Sequence, residues 1–230
     1  VDELEKPAPL HVAQAKCYGF MYARDHRCEK VTVQITYCHL ETENIRRFQE
    51  EYSVDELELW FDVLLGRYYP WASFLHQWKK SRNASMQGLE FPFPYREGQR
   101  DIVTGVYHTI RHSKELFVQA PTGVGKTMSV VFPAVRAVGE GMGEKIFYLT
   151  ARTIARTVAE EAFAILKSRG LRYKVITLTA KEKMCVCEEG ECSPASCPRA
   201  KGHFDRVNDA VYEILTAQDG YTRQTLLKHS

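Results

Sequence analysis

Ala120-Pro121-Thr122-Gly123-Val124-Gly125-Lys126-Thr127 is the stretch that decides how this chain folds. It lies between a short apolar run, Leu116–Ala120, and a segment of helical character, Lys126–Val138. Strand, glycine loop and helix, in that order, are the setting of a phosphate-binding loop. Gly123 and Gly125 allow a sharp turn and a close backbone approach to phosphate oxygens, with no Cβ in the way. Successive N–H groups of Thr122 to Thr127, at the head of the helix, would then cradle the phosphates. Lys126 would carry positive charge to the β and γ phosphates, and Thr127 would offer a hydroxyl to Mg²⁺. Ala120 stands where the general pattern has its first glycine.

Reading outward from the loop, helical and extended periods alternate. Arg100–Arg111 is amphipathic, with Ile102, Val103, Val106, Tyr107 and Ile110 on a stripe. Lys145–Thr150 reads as a strand, Thr153–Ser168 as a helix stopped by Gly170, and Arg172–Leu178 as a further strand. Pro133 is expected to kink the helix after the loop. Strands alternating with helices of this length predict βαβ units, hence an α/β fold with a parallel sheet. Phe204–Thr216 follows as an amphipathic helix.

The first third has a different rhythm. Residues 9–24 read as a helix opened by Pro9. Val31, Val33, Ile35 and Tyr37 alternate with Thr32, Gln34 and Thr36, the pattern of a half-buried strand. A turn over 39–44 leads to a partner strand, Asn44–Gln49. Ser53 and Glu56 form a capping-box pattern ahead of a helix Val54–Arg67. Pro70 is expected to break or kink that helix, with a second, aromatic-rich one over Trp71–Arg82.

Composition bounds the answer. Over 230 residues, 44% are hydrophobic and 26% charged, an ordinary globular balance that excludes a disordered tail or a collagen-like repeat. No apolar run approaches the length of a membrane span, and no signal pattern follows Val1, so a cytoplasmic, non-membrane protein is expected. Net charge is only +2, but it divides unevenly: −3 over residues 1–90 and +5 over 91–230. The shift, with Phe91-Pro92-Phe93-Pro94, marks a domain boundary near residue 85. Because residue 1 is Val, the chain is expected to be a piece of a longer protein.

Seven cysteines, an odd number without a secretory signal, argue against a disulfide framework. Cys17, Cys28 and Cys38 are scattered and read as small apolar residues. Cys185, Cys187, Cys192 and Cys197 fall within 13 residues, so four thiolates could reach one centre. By spacing alone zinc, an iron–sulfur cluster and no metal all stay open, and the Cys-x-Cys step fits the usual zinc pairs poorly.

Three motifs carry a family resemblance. Ala-x-x-Gly-x-Gly-Lys-Thr over 120–127 resembles motif I of superfamily 2 helicases. Phe93-Pro94-Tyr95-Arg96-x-x-Gln99 resembles their adenine-recognising Q-motif region, which implies that Arg96 and Gln99 flank the base. Leu149-Thr150-Ala151-Arg152-Thr153 looks like motif Ia, whose loop meets the DNA backbone; hydroxyls and a guanidinium at a helix start suit phosphate, and capping by Thr150 or Thr153 would serve equally. The cysteine segment is similar to that of the iron–sulfur helicases related to bacterial damage-inducible helicase G and human xeroderma pigmentosum group D. The resemblance implies a [4Fe–4S] cluster on Cys185, Cys187, Cys192 and Cys197, in an insertion within a RecA-like motor domain. It also implies ATP and Mg²⁺ as cofactors and single-stranded or forked DNA as partner; the oligomeric state is left open, with a monomer expected. Lys201 and Arg206, beside Arg199, would line the DNA path, or be solvated surface charges.

Gln14-x₃-Tyr18 places two polar residues on one helix face. It resembles the motif that follows the catalytic strands of RecB-like, PD-(D/E)xK nucleases, so residues 1–85 are similar to the C-terminal part of such an α+β module. The metal-binding carboxylates of that fold lie upstream of the motif, and no nuclease metal site is assigned. The expected order is therefore a nuclease-like module over 1–85, the front of the motor over 86–181, and the cluster insertion with its following helices over 182–230. Hydrolysis needs a Walker B Asp–Glu pair and a second motor domain. Neither follows the phosphate loop before Ser230, and Asp209 and Asp219 lie in or beside helices. The isolated chain is expected to be inactive, with no catalytic residue of its own. Two other readings stand beside this one: a P-loop NTPase with a structural zinc module, and a non-catalytic nucleic-acid-binding module.

Overall fold

A hairpin under one helix organises the first part of the molecule, and a helical layer organises the second. The computed structural model describes residues 4–150, 153–178, 180, 185, 193–221 and 226. The chain runs α1 (Pro9–His26), β1 (Lys30–Cys38), β2 (Ile45–Ser53), α2 (Val54–Gln87), α3 (Gln99–Arg111), α4 (Lys126–Gly139), α5 (Thr153–Ser168), β3 (Val175–Ile176), α6 (His203–Ala217) and β4 (Gly220–Tyr221). The chain divides into two compact units, Val1–Ser73 and Phe74–Ser230, with the division inside the sequence of α2.

In the first unit β1 and β2 pair antiparallel from Lys30↔Ser53 to Cys38↔Ile45. The turn closes with the His39 N–H donating to Asn44 O at 2.9 Å, and Glu43 takes a left-handed φ of 57°. β2 runs to Ser53, past the expected Gln49, because the hairpin register carries the ladder to the end of β1. The apolar face of β1 lies under α1. Gly19 makes the approach possible: a Cβ there would lie 2.9 Å from Val33 Cγ2. Tyr37 Oη accepts from the Ala8 N–H at 2.9 Å and pairs with His11 Nδ1 at 2.9 Å, tying the start of α1 to β1. The Lys16 ammonium lies 4.3 Å above the Tyr52 ring and 5.6 Å from that of Trp60.

The capping box forms as read. Ser53 Oγ accepts from the Glu56 N–H at 3.3 Å, and Glu56 Oε2 accepts from the Ser53 N–H at 2.9 Å and its hydroxyl at 2.8 Å. These bonds hold the Glu56 carboxyl below its ordinary pKa, the Ser53 backbone N–H contributing most.

The two helices expected on either side of Pro70, Val54–Arg67 and Trp71–Arg82, are one. α2 is continuous from Val54 to Gln87 with Pro70 inside it. Proline removes one donor, which frees the carbonyl four residues earlier, Gly66 O. Gly66 and Pro70 are both exposed, so water can satisfy that carbonyl. The last turns of α2 belong to the second unit. Arg82 donates to Glu144 O at 3.2 Å, Lys79 pairs with Glu144 at 2.7 Å, and the Arg172 N–H donates to Ser85 Oγ at 2.9 Å. Composition placed the boundary near residue 85, whereas the units divide earlier, at Ser73/Phe74.

The core of the second unit gathers Met86 of α2, Val131 and Val135 of α4, Phe163 and Leu166 of α5, and Leu171 and Tyr173 beyond it. Met86, Val135 and Leu166 have no exposed surface. Gly139 ends α4 directly against α2: a Cβ there would lie 2.5 Å from Met86 Cβ. Arg136 of α4 donates to Gln87 O at 2.8 Å and Leu89 O at 3.1 Å, satisfying carbonyls past the end of α2. Pro133 is accommodated inside α4 and buried.

The strand expectations are corrected in part. The fold is mixed α/β, but Leu116–Ala120 and Lys145–Thr150 carry no ladder among the described residues. Among the described residues neither has a paired strand beside it, and Phe117, Phe147 and Leu149 are 92%, 78% and 88% exposed. The expected strand Arg172–Leu178 contracts to Val175–Ile176, paired with Gly220–Tyr221. That pairing is parallel, and it is the only parallel one among the described residues.

Candidate nucleotide and nucleic-acid sites

The phosphate loop takes the conformation its glycines permit. Gly123 has φ +88° and Gly125 φ +77°, both in the left-handed region that favours glycine. Gly125 is the N-cap of α4 and no side chain caps the helix, so α4 presents its first N–H groups toward the loop. The Lys126 ammonium folds over the loop and donates to Ala120 O at 2.9 Å and Pro121 O at 2.7 Å. Thr127 is half-buried at the first turn of α4. Behind it Ser129, fully buried, donates its hydroxyl to Gly125 O at 3.0 Å and fixes the junction of loop and helix.

Arg96 and Gln99 brace this loop. The Arg96 guanidinium donates to Gly123 O. Gln99 is 4% exposed, and its Oε1 accepts from the Arg96 N–H at 3.1 Å. Its Nε2 lies where a Cβ on Gly125 would be 2.6 Å away. The two residues expected at a base thus meet the phosphate loop itself, one at each glycine. A turn through left-handed Gly98, in which the Gln99 N–H donates to Arg96 O at 3.1 Å just ahead of α3, brings the two together. Nearby, Tyr95 stacks on Phe91 with centroids 4.4 Å apart, and the Arg100 guanidinium lies 5.6 Å from the Tyr95 ring.

The donor set fits a polyphosphate: two left-handed glycines, an uncapped helix start and a lysine. Lys126 satisfies its ammonium on two carbonyls that a phosphate oxygen could replace.

The remaining motif residues fall on different elements. Thr150 is exposed at the end of the extended segment before α5. Arg152 lies outside the described residues, and Thr153 begins α5. Lys201 and Arg206 flank the N-cap of α6: Arg206 donates to Lys201 O at 2.9 Å, and Lys201 is exposed. Cys185 is exposed and Cys197 half-buried, while Cys187 and Cys192 lie outside the described residues. Among the described residues no group of three or more His, Cys, Asp or Glu could hold a metal ion. In the first unit Gln14 Nε2 lies 3.5 Å from Tyr18 Oη on α1, and Tyr18 borders a cavity of about 470 Å³ between α1 and β1. No helix among the described residues is long and apolar enough to cross a membrane.

Similarity to known proteins falls on the segment that carries the loop. Residues 97–189 match the DEAD/DEAH box helicase family. A probable ATP-dependent helicase of Methanocaldococcus jannaschii is 43% identical over 47 residues, which is 20% of this chain and 7% of that protein. The chain thus spans less than a tenth of that relative's length. No solved structure matches the chain. Together these matches make this part of the chain similar to a domain of the helicase superfamily.

Proposed function

We propose that this chain carries the ATP-binding front of an iron–sulfur DNA helicase motor, preceded by part of a nuclease-like module. The observation that carries the reading is the phosphate loop, with left-handed Gly123 and Gly125 at the open head of α4 and Lys126 over the loop. Thr122 to Thr127 would hold the phosphates of ATP, Lys126 would exchange two carbonyls for phosphate oxygens, and Thr127 would reach Mg²⁺. Arg96 and Gln99 would keep the loop open from behind. Bound ATP with Mg²⁺ would supply the hydrolysis that drives translocation along single-stranded DNA.

The four thiols from Cys185 to Cys197 form a donor set suited to a [4Fe–4S] cluster, which would stiffen the insertion. Thr150, Arg152, Thr153, Lys201 and Arg206 would track the DNA backbone. Gln14 and Tyr18 belong to the nuclease-like module. The 230-residue chain lacks a Walker B pair after its phosphate loop and should bind nucleotide without turning it over.

Binding of a fluorescent ATP analogue with Mg²⁺ tests the core of the reading. Affinity should fall at least tenfold in Lys126→Ala, and equal binding by both proteins would overturn the nucleotide site. Anaerobic purification followed by iron and sulfide analysis tests the cluster. Equimolar iron and sulfide are expected; stoichiometric zinc without sulfide would replace the cluster by a structural zinc module.

A further inference from the structure

In sequence the four cysteines lie between β3 and α6, and one side chain links the start of β3 to the end of α6 and to β4. Lys174 immediately precedes β3. Its ammonium donates to Leu215 O at 2.6 Å and Gln218 O at 2.9 Å, backbone acceptors at the C-terminal end of α6. It also reaches Asp219 Oδ1 at 2.9 Å and Tyr221 Oη at 3.2 Å. Four acceptors thus surround three ammonium protons. The cation lies 4.2 Å above the Trp78 ring and 5.6 Å from that of Phe74, both on α2. The Lys174 side chain is only 15% exposed.

The physical logic is that of a helix C-cap supplied from a distance. The last carbonyls of a helix lack partners and carry the negative end of its dipole, and a cation there satisfies both needs. Local sequence does not supply one: α6 has no basic residue in its last turn. The neighbouring contacts repeat the pattern. Lys167 of α5 donates to Asp219 O at 2.7 Å, Thr177 donates to Glu160 of α5 at 2.5 Å, and Val175 and Ile176 pair with Gly220 and Tyr221. None of these contacts involves a cysteine.

We infer that Lys174 is the positioning residue that joins the elements before and after the cysteine segment, holding α6 and β4 on β3 whether or not a metal is bound. The inference rests on the proposed reading only in taking the segment as the metal-binding one. On this inference, the frame that presents Cys197, Lys201 and Arg206 exists before metal arrives, and metal loss leaves α6 docked.

Hydrogen exchange on the 230-residue chain, stripped of metal by a chelator, tests this without reference to the metal's identity. In the unmutated chain the amides of α6 and β4 should remain protected. Lys174→Met, which keeps length and apolar stem but removes the charge, should lose at least tenfold protection there while the α4 amides are unchanged. Lys174→Arg should restore protection in part, because the planar guanidinium can reach the same carbonyls and stack on Trp78. With Trp60 and Trp71 replaced by Phe, Trp78 emission should shift to the red in Lys174→Met and return toward the original in Lys174→Arg. Unchanged exchange of α6 in Lys174→Met would overturn the inference, as would α6 exchanging freely in the metal-free unmutated chain while α4 stays protected. Failure of the iron and sulfide analysis would leave these readouts standing.

Discussion

The Arg96 guanidinium donates to the carbonyl of Gly123, so a residue upstream of α3 holds the turn of the phosphate loop. Because Gly123 is left-handed at φ +88°, its peptide orientation is held by this contact rather than by a side chain of its own. Arg96→Ala should therefore weaken Mg²⁺–ATP binding by up to about tenfold, the scale of one hydrogen bond to a charged group at an exposed site. Titration with a fluorescent analogue measures it, and thermal unfolding should move little.

Gly125→Ala should be more severe for binding. The new Cβ would force a left-handed alanine and meet Gln99 Nε2 at 2.6 Å. The backbone term alone is roughly 1–2 kcal/mol. Nucleotide affinity should fall by more than tenfold; unchanged affinity would mean that the loop need not hold this shape.

Gly139→Ala tests the junction of α4 with α2. Its Cβ would collide with Met86 Cβ, an atom that rotamer changes cannot move away. Overpacking of this kind costs about 1–3 kcal/mol. Urea denaturation followed by circular dichroism should show a lower midpoint, whereas Gly88→Ala, where nothing lies within 4 Å of the new Cβ, should not.

The capping box gives a pH dependence with a definite sign. Bonds from Ser53 hold the Glu56 carboxyl below its ordinary value, so it binds its proton less readily folded than unfolded. Its contribution is present above the unfolded pKa of about 4.3 and is lost as pH falls through the lower, folded value. Thermal melts from neutral pH into the acid range should show this loss in the unmutated chain and a smaller one in Glu56→Gln. Ser53→Ala should cost about 1 kcal/mol at neutral pH.

What the sequence disclosed was what is locally encoded. The alternation of Val31 to Tyr37, the Ser53–Glu56 pair, the stripe from Ile102 to Ile110 and the glycine loop each specify their element within a few residues, and each appears in the fold. What stayed hidden depends on partners far along the chain. Phe117 and Phe147 lie in apolar runs that read as strands, but a ladder requires a neighbour that local pattern cannot supply. Pro70 was read from its missing N–H, without the exposure of Gly66 that lets water take the bond's place. Lys174 sits in a stretch that reads as an ordinary strand, and its acceptors lie more than forty residues downstream. At the candidate nucleotide site the loop was legible, but the turning of Arg96 and Gln99 onto it was not.

The continuity of α2 matters to anyone cutting the gene into pieces. Truncation at the composition shift would begin the second piece near Met86 and discard Arg82 and Ser85, which hold Glu144 and Arg172. Such a piece would lose one wall of its own interior while appearing, from sequence, to be whole. A piece that starts at Phe74 keeps that wall, together with the aromatic rings beneath Lys174.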